Sequence, residues 1–207
     1  MKAACTAALL LALVPAAAQA PPQTVVEEWS AITVPPAPEL KSVTIDPATT
    51  ALLLLDLQKG SCNAQARPRC DASIPAVKAL LDAARAKGVA IVHSLTSTAT
   101  VADLRPEVAP REGEPVVRSS VDKFYNTELE SILKAKGIKT VVIVGTAAHG
   151  AVLHTSAGAA MRGFQVVVPV DGMSADSAFA EFYTAWHLVN SPGTRARMTL
   201  TRTGLIR

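Results

Sequence analysis

Cysteine, aromatic rings and net charge are all scarce in this 207-residue chain, and each scarcity removes a class of function. Three cysteines, at positions 5, 62 and 70, are too few for a disulfide scaffold. Two Trp, two Tyr and four Phe leave little for stacking on bases, and a formal charge of +3 scattered along the chain gives no basic stripe. A nucleic-acid binder is therefore excluded. Beyond the first residues no apolar run approaches the roughly 18 residues needed to cross a bilayer, which excludes a membrane span.

The apolar residues that stand together at the start have a different meaning. Met1-Lys2 gives a positive beginning, Ala7 to Val14 an apolar stretch, and Ala18-Gln19-Ala20 an A-x-A cleavage pattern before Pro21-Pro22. Residues 1–20 are expected to be a secretory signal peptide, so the mature protein is expected in the periplasm or outside the cell. Cys5 leaves with the signal. Residues 21–47 are irregular and proline-rich but carry Trp29 and Ile32, unusual in a free tail, and are expected to form an arm on the domain or on a partner subunit. Residues 48–207 suffice for one domain burying roughly 70% of its unfolded surface.

Within that domain strands and helices alternate. Ala51 to Leu57 (ALLLLDL), Val89 to Leu95, Pro115 to Arg118, Thr140 to Gly145, Phe164 to Val170 and Arg197 to Thr201 read as strands, most of them continuously apolar. Ser73 to Lys87, Thr127 to Lys136, Ala151 to Arg162 and Asp176 to Val189 read as helices, the first three followed by Gly88, Gly137 and Gly163. The pattern predicts an α/β fold of three layers, α/β/α, around a mainly parallel, Rossmann-like sheet. Ligands bind such sheets beyond the carboxyl ends of the strands. That directs attention to Asp56–Lys59, His93–Thr98, Arg118–Lys123 and Thr146–Ala151.

Asp56 closes a run of four leucines, where a carboxylate is costly unless paired. Its pKa is open to displacement, which suits acid–base work, although a structural cap is an equal reading. Gly145 to Ala151 joins strand to helix with small residues and one histidine. There backbone N–H groups at a helix start can hold an anion or a developing oxyanion, or the strand and helix can simply pack closely.

Four pieces in this order resemble the isochorismatase-like hydrolase superfamily, which includes isochorismatases, nicotinamidases and N-carbamoylsarcosine amidases: LLLLDLQ (Leu52 to Gln58), VVRSSVDKFYNTELESIL (Val116 to Leu133), VVIVGTAAHGAVLHTSAGAAMRGF (Val141 to Phe164) and VVVPVDGMS (Val166 to Ser174). The resemblance implies an Asp–Lys–Cys site. Asp56 matches the aspartate. Alignment on Phe124, Thr127 and Leu129 puts Arg118 at the lysine position, and counting from Gly145 puts Ala151 at the cysteine position. A methyl group cannot form an acyl intermediate.

True isochorismatases resemble this chain in having a small residue at that place and an Ala-His pair before it, here Ala148-His149. The resemblance implies that Asp56 acts as general acid on a small, anionic molecule, with Arg118 as electrostatic clamp and no covalent cysteine step. The stretch after Asp56 lacks the aromatic residues of isochorismatases, so isochorismate itself is not expected. The rival expectation is a catalytically silent binding protein that kept the fold. Substrate contacts are expected from Gln58, Lys123, Phe124, Ala147, His149 and Gly150. Lys123 competes with Arg118 for the cationic role, although a loop position favours pairing with Asp122 or a neighbour.

Cys62 and Cys70 are expected to form a disulfide over the pocket in an oxidising compartment. Arg67 and Arg69 inside that loop could face an anionic ligand, with solvation the favoured reading. No cofactor and no metal are expected, because His149 and His154, five apart at a helix start, would not share a face. His93 and His187 read as packing or surface residues. Members of the superfamily usually oligomerise, so a homo-oligomer is expected.

Overall fold

The structure, a computed structural model, describes residues 24–207; the expected signal peptide, 1–20, lies outside the described residues. The chain divides into two compact units, one ending at Pro36 and the other spanning Ala37–Arg207. In the first, α1 (Val25–Glu28) starts at a capping box in which Thr24 and Glu27 satisfy each other's end groups.

In the second unit the order is β1 (Thr50–Leu55), α2 (Pro68–Ala86), β2 (Ala90–Leu95), β3 (Val116–Arg118), α3 (Leu129–Ala135), β4 (Thr140–Thr146), α4 (Leu153–Met161), β5 (Gln165–Pro169), β6 (Met173–Ser174), α5 (Ala178–Asn190) and β7 (Met198–Thr201). The sheet runs β3-β2-β1-β4-β5-β7, with β6 on the end of β4, and every pairing is parallel.

β1 lies between β2 and β4 and is buried at all positions, which its four leucines require. Its side chains alternate between two cores. Leu53 and Leu55 pack with Leu129 and Leu133 of α3, Ala159 of α4 and Leu188 of α5. Leu52 and Leu54 pack with Val77 and Leu81 of α2. This is the three-layer arrangement. Residues 37–47 are tied to the far end of the sheet, Lys41 N–H donating to Leu200 O at 2.9 Å and Val43 N–H to Leu205 O at 3.0 Å.

Several boundaries differ from the sequence expectation: β1 ends at Leu55 rather than Leu57, α3 starts at Leu129 rather than Thr127, and α4 starts at Leu153 rather than Ala151. α2 starts at Pro68 rather than Ser73, because proline at the first helical position loses only an N–H that has no helical acceptor anyway. β6 was not expected at all. Its two residues follow Gly172, where a Cβ would come within 2.7 Å of Val144 Cγ1.

Candidate active site

With all strands parallel, their carboxyl ends share one edge, and Asp56 stands there at the end of β1. Its φ of 53° turns the chain out of the sheet, a conformation Asp adopts more readily than most residues. Leu55 lies opposite Ser94 of β2 and Gly145 of β4. Gly145 has φ 131°, and a Cβ there would sit 2.1 Å from the Leu55 carbonyl oxygen. Only glycine lets β4 close on β1 directly beneath Asp56. Ser94 Oγ donates to Asp56 Oδ1 at 2.8 Å.

The cation beside Asp56 is Lys123, whose Nζ is 2.7 Å from Oδ2, with the lysine side chain wholly buried. Lys123 Nζ also donates to the carbonyls of Ser119 (3.1 Å) and Ser120 (2.5 Å). An ammonium has three donors, and all three are used. The loop that delivers it is folded by its own short side chains. Ser119 Oγ donates to Asp122 O and Tyr125 O, Thr127 Oγ1 to Lys123 O, and Thr155 Oγ1 of α4 accepts from Lys123 N–H. Phe124 anchors the loop, stacked on Phe164 with centroids 6.1 Å apart and covered by the Arg162 guanidinium. Burial pushes the Asp56 carboxyl up; the Lys123 charge and the bonds from Lys123 and Ser94 oppose this without cancelling it.

β4 passes into α4 through a π-helical turn, Ala148–Val152, with only Ala147 between the strand and the turn. Ala147 O accepts from Gly150 N–H at 3.0 Å and from Val152 N–H at 3.2 Å. Ala148 and Ala151 are buried in the apolar cluster that includes Leu55, whereas His149 is exposed. Above this edge lies the loop closed by the Cys62–Cys70 disulfide. Arg67 reaches down from it, Nη1 to Thr146 Oγ1 and Nε to Asp176 Oδ1, both at 2.7 Å. Arg69 pairs with Glu181 of α5.

The isochorismatase domain model matches residues 50–196, from the first residue of β1 to beyond α5. The chain belongs to the isochorismatase family. It is 34% identical over 114 residues to a secreted isochorismatase effector, Isc1, of Verticillium dahliae, covering 50% of this chain and 60% of that protein. It is 27% identical over 130 residues to an N-carbamoylsarcosine amidase of an Arthrobacter species, covering 49% of each. The chain thus spans about half to three fifths of these curated relatives. An isochorismatase family protein of Desulfovibrio vulgaris has the same fold, with TM-score 0.68, 20% identity, and coverage of 75% of this chain and 95% of that one.

Against this isochorismatase frame, several expected residues take other places. Arg118 is not the partner of Asp56. β3 is the edge strand, two strands from β1, and with Val117 turned inward the alternation turns Arg118 out to solvent. Lys123, five residues later, takes the place beside Asp56. The favoured pairing of Lys123 with Asp122 is likewise replaced, for Asp122 Oδ1 accepts from Phe124 N–H at 3.0 Å. Phe124 is a buried ring of the core. Gln58 is buried, its amide within 3.2 Å of Thr96 Oγ1. Ala147 and Gly150 are half-buried at the turn. Arg67 is not merely a solvating charge but is bonded to the end of β4.

Ser94 and Thr146 hold Asp56 and Arg67, and neither was singled out beforehand. Both lie in the strand-end windows His93–Thr98 and Thr146–Ala151, but only the register of the sheet picks these hydroxyls out of them.

His149 and His154 do share a face. Both line a groove of about 450 Å³ with Phe179, Tyr183 and His187 of α5. The π turn carries more residues per turn than an α-helix, so a spacing of five brings side chains back to one side. Among the described residues no three His, Cys, Asp or Glu side chains are placed to hold a metal ion. His93 is buried on β2, its Nε2 3.0 Å from Glu114 Oε2. Among the described residues, no helix is long and apolar enough to cross a membrane.

Proposed function

We propose that this member of the isochorismatase family hydrolyses a small anionic molecule through acid–base chemistry centred on Asp56, with no covalent thiol intermediate. The observation that carries the reading is the buried Asp56–Lys123 pair at the carboxyl edge of the sheet, with the Asp56 carboxyl raised by burial. A raised carboxyl retains a proton closer to neutral pH and can deliver it to a leaving group or to a vinyl ether carbon. Water then attacks the activated carbon and returns its proton to the Asp56 carboxylate. Lys123 positions that carboxylate and stabilises its charged form. The backbone N–H groups at the start of the π turn, apart from that of Gly150, which donates to Ala147 O, would stabilise negative charge developing on the substrate.

The absence of a thiol step is supported by Ala151 at the position where the family resemblance expects cysteine, and by the bonding of Cys62 to Cys70. The same alanine favours a second reading, a binding protein that keeps the pocket without turnover. Export from the cytoplasm agrees with that disulfide. A homo-oligomer with residues 21–47 in its interface belongs to the same proposal.

The test is turnover of a panel of vinyl ethers, amides and esters by the wild-type chain and by Asp56→Asn. The hydrolase reading expects Asp56→Asn to lower kcat by at least about 100-fold while ligand binding survives. Binding without turnover of any member of the panel in the wild type selects the second reading. Amidase activity gained by Ala151→Cys would show that the rest of the site is still arranged for acyl transfer.

A further inference from the structure

An anionic substrate needs a cation to meet it, and the described site has given up the expected one. Arg118 faces solvent at the sheet edge. Lys123 is buried with every donor committed to Asp56, Ser119 and Ser120. Arg67 is a further cation at this edge, bonded to Thr146 at the carboxyl end of β4.

Its placement is specific. The last paired residues of β1 and β4 are Leu55 and Gly145, so Asp56 and Thr146 are the next residues along two adjacent strands. Thr146 is buried and its hydroxyl donates to Ser174 O at 3.1 Å, which turns the lone pairs toward Arg67 Nη1. A guanidinium has five N–H donors. Arg67 uses one on Thr146 and one on Asp176, and its other three have no acceptor among the described residues. The Arg67 side chain is 19% exposed, whereas that of Asp176 is 66% exposed. The buried contact thus fixes the fork, and the carboxylate partner is the member free to swing away.

The backbone carrying Arg67 is equally constrained. Cys62 and Cys70 close the loop around it, and Arg105 Nη1 donates to Cys62 O at 2.8 Å.

We propose that Arg67 is the anion-recognition residue of this site, that it binds a carboxylate on the substrate in place of Asp176, and that the Cys62–Cys70 bond holds it in position to do so. This rests on the reading of a small anionic ligand beside Asp56, but not on turnover. Once Asp176 releases Nε, a planar, two-oxygen anion fits the Nε and Nη2 side of the fork, and an uncharged amide of the same shape does not.

The experiment measures binding of matched probes, benzoate against benzamide and acetate against acetamide, by calorimetry on the disulfide-bonded chain. In the wild type at least one carboxylate is expected to bind about 10-fold or more tightly than its amide. Arg67→Gln should erase that preference while leaving amide affinity unchanged, Arg67→Lys should retain part of it, and Asp176→Asn should raise carboxylate affinity severalfold. Cys62→Ser with Cys70→Ser should weaken carboxylate binding more than amide binding. A folded wild type without carboxylate preference overturns the assignment, as does a preference that survives Arg67→Gln. If Arg67→Gln does not fold, unchanged carboxylate affinity in Asp176→Asn overturns it instead. Asp56→Asn should keep the preference, so a carboxylate-binding protein without turnover would sink the hydrolase reading and leave the Arg67 assignment standing.

Discussion

Lys123 Nζ lies 2.7 Å from Asp56 Oδ2 in a site where the lysine is wholly buried and the aspartate nearly so. Removing one partner of such a pair leaves the other charge buried without compensation. Lys123→Met is therefore expected to destabilise the fold by about 3–5 kcal/mol, and Arg118→Met, at the exposed edge, by less than about 0.5 kcal/mol. The double variant Asp56→Asn/Lys123→Met should recover much of the loss. Urea unfolding measures all three, and equal effects of the two single changes would remove Lys123 from its central place. The pH sign follows from Asp56, whose carboxyl is raised in the fold. Above the ordinary value of 3.8 the unfolded chain releases a proton that the folded chain retains, so this group makes stability fall as pH rises. Without the lysine that fall should be steeper.

Gly145 makes a prediction that needs no electrostatics. A Cβ at 2.1 Å from Leu55 O cannot be absorbed by a flexible side chain, because the obstacle is backbone of the central strand. Gly145→Ala should cost more than about 2 kcal/mol from overpacking and positive φ together. Gly163→Ala, with φ 92° but nothing within 4 Å, isolates the conformational part. Thermal melts of the two variants should differ clearly, and similar melting temperatures would mean that β1 and β4 are not so close.

Acid should destabilise the protein through Glu114 and His93. Burial pushes the Glu114 carboxyl up, but bonds from Arg85, Arg111 N–H and His93 outweigh it and bring the value to about 2. Its stabilisation is complete above the ordinary value of 4.5 and is lost as pH falls towards 2. Burial lowers the His93 imidazole below 6.5 against the opposing Glu114 charge, so its contribution is also lost as pH falls. Glu114→Gln should cost up to about 3 kcal/mol at pH 7 and flatten the loss between pH 4.5 and 2. Stability measured across that range tests this, and an unchanged slope in the variant would exclude Glu114 as its source.

The strands β1, β2, β4 and β5 were legible because a strand buried on both faces has to be apolar throughout, and few other structures demand that. β6 was not, since two residues cannot display a period. Asp56 stood out as a carboxylate at the end of a leucine run. Its cation did not, because the position of Lys123 depends on a loop that reverses through the bonds of Ser119 and Thr127. Linear alignment on Phe124 pointed instead to Arg118, which is near in sequence but two strands away in the sheet. Arg67 was visible as a charge in a short disulfide loop, and only the end of β4 beneath it distinguishes a bonded arginine from a solvated one.

The Cys62–Cys70 bond closes a short loop, so chain entropy assigns it about 2–3 kcal/mol. For a domain of this size that corresponds to a melting-temperature loss of roughly 5–10 °C on reduction. The loop has a second anchor in Arg105, which meets Cys62 O at 2.8 Å and Asp71 Oδ1 at 2.5 Å, so the reduced chain should keep its helices and sheet. Circular dichroism with and without reductant should therefore show a lower melting temperature with unchanged far-ultraviolet spectra at 25 °C. Arg105→Gln combined with reduction should cost more than the sum of the two separate losses, because each anchor limits the freedom the other would release. Additive losses would mean that Arg105 and the disulfide secure different parts of the loop.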